Sequence, residues 1–130
     1  MVGNNRKKIL LVDDTRTVIL FEKMLLAGEG FDIRCAYNGQ EALDLVHEDP
    51  PDLILLDLLM PVMDGYEVCD RLKNDPATSN IPIIVVSTRS SEESVERCLS
   101  IGADYYIFKP INKLELLEKM FSALGNKRST

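Results

Sequence analysis

The sequence predicts an α/β fold, an open, doubly wound parallel sheet of five strands with helices on both faces. Three observations carry that expectation. Five short apolar runs recur at residues 9–12, 31–36, 53–56, 81–86 and 105–108, and three of them lack polar alternation, as in strands covered on both sides. The segments between and after them include stretches with apolar residues spaced by three and four, the period of a helix with one buried stripe. Helix starts and stops punctuate the alternation at regular intervals.

Strand one, ILLV, runs into Asp13-Asp14, and the next segment places Val18, Phe21 and Leu25 on one helical stripe before Gly28 and Gly30 end it. Strand two follows at 31–36. Asn38 and Glu41 then form a capping-box pair for helix two, which stops at Pro50-Pro51. Strand three, LILL, ends on Asp57; Asp64 and Glu67 open helix three, whose stripe is Gly65, Val68, Cys69 and Leu72 and whose stop is Asp75-Pro76. Asp64 is best read as that helix's cap and not as a ligand. Strand four ends in Ser87-Thr88. Helix four is expected from the pair Ser90 and Glu93 to Gly102, and strand five ends in Lys109-Pro110. Asn112 and Glu115 open helix five, with Leu114, Leu117, Phe121 and Leu124 as its inner stripe and Gly125 as its end.

With 130 residues, 45% of them hydrophobic, the chain suits one domain over 1–130, its core about 7–124 and residues 125–130 a polar tail or linker stub. Net charge is -6, and the basic residues form no continuous face, which argues against direct nucleic acid binding. The apolar run after the first residues is too short for a signal peptide or a membrane span, so a cytoplasmic protein is expected. Cys35, Cys69 and Cys98 are odd in number and set in apolar segments, as reduced core thiols are. His47, the single histidine, reads as a surface residue without a metal or capping partner.

Chemistry collects at the carboxyl ends of the strands, where ligands bind in such sheets. Asp13, Asp14 and Asp57 would repel one another unless a cation neutralises them, and an all-oxygen donor set without His or Cys favours a hard ion, Mg2+ or Mn2+. Lys109 adds one positive charge. A carboxylate so supported can attack phosphorus and form an acyl phosphate, with the Ser87 hydroxyl and Lys109 meeting the phosphoryl oxygens. The Lys109-Pro110 peptide is a candidate cis bond.

The set Asp13-Asp14, Asp57 within LLDLLMPVMDG, Ser87, and Lys109-Pro110 resembles the receiver domain of two-component response regulators, over about residues 7 to 124. The resemblance implies a flavodoxin-like sheet in the order 2-1-3-4-5. It implies that Asp57 accepts a phosphoryl group from a histidine kinase or histidine phosphotransfer protein. Mg2+ would be bound by Asp14 directly, by Asp13 largely through water, by Asp57 and by the backbone carbonyl of Leu59. Ser87 and Tyr106 would switch conformation with phosphorylation, and helix four, strand five and helix five would form the output surface. The protein would then be no enzyme beyond making and losing its own aspartyl phosphate. Its downstream partner would be another protein or an effector domain beyond this chain, and it would be a monomer or a phosphorylation-dependent homodimer. Thr88 stands where the family usually has Ala or Gly, and Leu59 and Arg89 occupy positions that tune phosphate lifetime.

Other classes fit less well. A flavodoxin-like cofactor protein needs a loop of amide donors after strand one, where this chain places two acids. A phosphohydrolase with an aspartyl nucleophile would want a second acid at residue 59, which is Leu. A degenerate receiver used only for binding would not need the full set of motif residues.

Overall fold

In the computed structural model, which describes residues 6–125, strands and helices alternate throughout. The strands are β1 (Lys8–Val12), β2 (Asp32–Ala36), β3 (Leu53–Asp57), β4 (Ile83–Ser87) and β5 (Tyr105–Phe108). They form one parallel sheet in the order β2-β1-β3-β4-β5. The helices are α1 (Arg16–Leu26), α2 (Gly39–Glu48), α3 (Gly65–Lys73), α4 (Glu92–Ile101) and α5 (Lys113–Gly125). The strand order reverses between β1 and β3, which is where such a sheet opens a crevice at its carboxyl edge. Of the expected tail at 125–130, Gly125 ends α5 and the rest lies outside the described residues.

Alternate side chains of each strand go to opposite faces, so one run of apolar residues feeds two cores. On one face Leu10, Val12, Ile54, Leu56, Ile83 and Val85 pack against α2, α3 and α4; on the other Ile9, Leu11, Leu53, Leu55, Ile84 and Val86 meet α1 and α5. This explains why β3 and β4 are buried at every position and show no polar alternation. Cys69 and Cys98 lie in the first core as free thiols, and burial pushes them up to about 12 and 11, so both stay protonated.

Three of the four capping pairs form as expected. Asn38, Asp64 and Asn112 accept from the amides of Glu41, Glu67 and Glu115 at 2.8, 3.0 and 2.9 Å. The fourth is displaced by one residue: α4 is capped by Ser91, whose hydroxyl accepts from Ser94 N at 3.2 Å, and not by Ser90. β4 begins at Ile83 and not at 81, because Pro82 has no N–H for the ladder. His47 is exposed on α2, as expected, and its Nε2 lies 3.0 Å from Asp75, which raises the imidazole pKa and ties α2 to the turn after α3.

The larger correction concerns α1 and α5, whose inner faces lie one residue away from the expected stripes. In α1 the buried residues are Ile19, Glu22 and Leu26, while Phe21 is 43% exposed. In α5 they are Leu116, Met120 and Ala123, while Leu114 and Phe121 are 78% and 48% exposed. Both segments, TVILFEKMLL and LELLEKMFSAL, carry apolar residues on more than one side, so spacing alone does not choose the face.

Gly65 sets the distance between α3 and the end of β3. A Cβ there would stand 2.4 Å from the Asp57 carbonyl oxygen and 2.7 Å from Leu58 Cα, both backbone atoms that cannot swing aside. Gly65 N also donates to Leu58 O at 2.8 Å. Gly65→Ala is expected to lower stability by about 2 kcal/mol through overpacking at a position with no slack, read as a lower urea midpoint.

Candidate functional site

The register brings the strand ends level. Val12 pairs with Leu56, Asp57 with Val86 and Ser87 with Phe108, so the residues that end β1, β3, β4 and β5 face one crevice. Asp57 and Ser87 are the last residues of their strands and not the first of the loops, and both are buried. The rigid ladder therefore fixes where these two side chains leave the sheet.

Asp13, Asp14 and Asp57 each offer a carboxylate oxygen within 4.8 Å of the others. Asp13 is buried and Asp14 exposed, which leaves the group open on one side. Asp13 Oδ1 accepts from Thr15 N at 2.9 Å, so the turn into α1 orients that carboxylate. Lys109 Nζ donates to Asp57 Oδ1 at 3.0 Å and to Asp13 Oδ2 at 3.2 Å. The Lys109-Pro110 peptide is cis, and Lys109 N donates to Ser87 O at 2.9 Å. Four of the expected residues, Asp13, Asp14, Asp57 and Lys109, are thus gathered in one cluster.

Burial and the neighbouring Asp13 push the Asp57 carboxyl up to about 6 against the opposing pull of Lys109. Burial would lower the Lys109 pKa, but hydrogen bonds and charge from Asp57 and Asp13 outweigh it and raise the value. Three carboxylates and one ammonium (-3 + 1 = -2) leave the cluster two charges short of neutrality, the charge of one divalent cation. All of its donors are oxygens, so the residues present fit a hard ion.

Ser87 and Tyr106 are joined to each other through Arg89, whose N donates to Ser87 Oγ at 3.0 Å and whose O accepts from the Tyr106 hydroxyl at 2.6 Å. Leu59, two residues past Asp57, has its side chain 44% exposed at the mouth of the site, and Thr88 and Arg89 are exposed as well.

One residue of the site was not anticipated. Glu22 is 3% exposed on the inner face of α1, and its Oε1 has no hydrogen-bond partner among the described residues. Burial, then Asp13, push its carboxyl up to about 8, so it is mostly neutral at pH 7. The signal was present in the acid set among VILFEKMLL, but a single glutamate on an apolar helix reads as the solvent side until the register of that helix is known.

Comparison with known proteins decides the family. A profile of the response regulator receiver domain matches residues 9–121. The chain belongs to the response regulator receiver family. A signal receiver domain of a signal transduction histidine kinase from Syntrophus aciditrophicus is similar over 95% of this chain and 94% of its own, at 35% identity and a TM-score of 0.86. A CheY-like response regulator receiver domain protein from Methanospirillum hungatei matches over 95% of this chain and 97% of its own, at 31% identity and a TM-score of 0.87. The Vibrio cholerae chemotaxis protein CheY4 matches over 92% and 99%, at 28% identity and a TM-score of 0.85. The receiver's sheet order and helix count are those of its family, and the acids of the receiver occupy the edge where the fold places ligands.

Proposed function

We propose that this receiver is a phosphoryl-accepting switch in which Asp57 is the acceptor. The observation that carries the reading is Lys109, whose ammonium bridges Asp57 and Asp13 inside a cluster of three acids. Asp13, Asp14, Asp57 and the Leu59 carbonyl would hold Mg2+ or Mn2+, which when bound supplies charge neutralisation for the incoming phosphoryl oxygens. An Asp57 carboxylate oxygen attacks phosphorus, the bond from phosphorus to the donor histidine nitrogen breaks, and its electron pair returns to the imidazole. Lys109 exchanges a carboxylate contact for a phosphoryl oxygen, and the Ser87 hydroxyl, whose hydrogen is not needed to accept from Arg89, donates to another.

The donor would be a histidine kinase or phosphotransfer protein, encountered in the cytoplasm. Phosphorylation would then bias Ser87, the loop at 88–91 and Tyr106, and through them the surface of α4, β5 and α5. Leu99 and Phe108 there are 46% and 48% exposed and give a protein partner, an effector domain or a second copy apolar contact area. Among the described residues no helix is long and apolar enough to cross a membrane.

Incubation with acetyl phosphate, read by intact mass, tests the reading. One phosphoryl adduct is expected with Mg2+ present, and none after EDTA. A protein that remains unmodified with Mg2+ would instead be an interaction module without phosphoryl chemistry.

A further inference from the structure

The hydroxyl of Tyr106 is the middle of a longer chain that reaches a third element. Tyr66 on α3 and Ser94 on α4 are both buried, at 6% and 5% exposure, and their hydroxyls are 2.7 Å apart; Ser94 Oγ lies 3.1 Å from the Tyr106 hydroxyl. Each hydroxyl has a single hydrogen to give. Tyr106 gives its own to the Arg89 carbonyl, which has none to return. Ser94 must therefore donate to Tyr106, and Tyr66 must donate to Ser94. The chain runs one way, from α3 through α4 and β5 to the loop that also hangs on Ser87 through Arg89 N. On its outer side the ring of Tyr66 is covered by the Arg97 guanidinium, 3.7 Å from the ring centroid.

We propose that Tyr66 and Ser94 are positioning residues of the switch, holding Tyr106 against the Arg89 carbonyl through this directed hydroxyl chain. The chain makes the position of the 88–91 loop depend on α3 and α4 as well as on Ser87. Hydrogen bonds in series polarise one another, so loss of an inner member weakens the bond that Tyr106 makes at the end. Ser94→Ala breaks the chain in the middle and leaves the buried Tyr66 hydroxyl without an acceptor, whereas Ser94→Thr keeps the hydroxyl. Adding Tyr66→Phe to Ser94→Ala removes that orphaned group and separates the loss of the chain from the cost of a buried polar atom.

The inference rests on the phosphoacceptor reading only where it speaks of a switch, and the test keeps the two apart. The full chain is labelled with ring-13C tyrosine, and the Tyr106 resonance is followed in the wild type, Ser94→Ala, Ser94→Thr and the double variant, before and after acetyl phosphate with Mg2+. The adduct is read by mass on the same samples. In Ser94→Ala and in the double variant the ratio of Tyr106 bonded to the Arg89 carbonyl to Tyr106 released from it is expected to fall about fivefold, the size of one lost hydrogen bond. Ser94→Thr is expected to restore it, which a purely structural role would not require. A Tyr106 resonance unchanged in the folded double variant would overturn the chain, whether or not any adduct forms. Absence of an adduct from every sample, wild type included, would overturn the phosphoacceptor reading and leave the Tyr106 comparison to decide the chain.

Discussion

Asp57→Asn is expected to abolish the phosphoryl adduct and, in EDTA, to make the protein more stable at neutral pH. The two effects have one cause. Asp57 is buried beside Asp13, and its carboxyl is raised from 3.8 to about 6. A carboxyl whose pKa is higher in the folded state than in the unfolded chain holds more protons when folded, so its contribution to stability is greatest below pH 4 and is lost as pH rises through 6. The shift corresponds to about 3 kcal/mol at pH 7 and above. Asn removes that loss along with the nucleophile. With Mg2+ the difference should nearly close, because the ion binds the ionised cluster of the wild type and stabilises it by about 2.7 kcal/mol at a hundred times its dissociation constant. Urea titrations of both proteins at pH 5 and 8, each with Mg2+ and with EDTA, check the gap and its closing.

Glu22→Gln should give a comparable effect on stability over a higher pH window and leave the acceptor in place. The Glu22 carboxyl is raised from 4.5 to about 8, first by burial and then by Asp13. By the same linkage, the metal-free protein loses stability between pH 4.5 and 8 as Glu22 is forced to ionise without a partner for Oε1. The expected loss across that window is about 3 kcal/mol, less than the full shift implies because Asp57 is among the charges that raise Glu22 and the two are not additive. Gln carries no charge at any pH. Its unfolding free energy in EDTA should therefore be flat from pH 6.5 to 8 apart from the remaining slope of Asp57, whatever the packing cost of the amide. An unchanged slope would mean that Glu22 does not titrate in the fold.

The fold was legible because several levels agreed. Apolar runs marked the strands, glycines and prolines marked the stops, and Asn38, Asp64 and Asn112 marked helix starts that the structure repeats bond for bond. The strand-end inventory also placed Asp13, Asp14, Asp57 and Lys109 together before any coordinates. What escaped was whatever depended on the rotation of a helix. α1 and α5 are apolar on several sides, so the stripes through Phe21 and Phe121 looked as good as the true ones through Ile19 and Met120. That rotation by one residue is what hid Glu22. Ser94 escaped as well, because its partners Tyr66 and Tyr106 lie 28 and 12 positions away along the chain. The His47–Asp75 contact spans 28 positions and has no local signature.

The central claim is that the phosphoryl group goes to Asp57 itself. Borohydride reduction of the protein after treatment with acetyl phosphate and Mg2+ converts an aspartyl phosphate to homoserine, which peptide mass mapping can locate. The account predicts homoserine at position 57 alone, and none anywhere in Asp57→Asn. Homoserine at Asp13 or Asp14, or the five-carbon alcohol that reduction would leave at Glu22, with Asp57 intact, or an adduct that survives in Asp57→Asn, would contradict it.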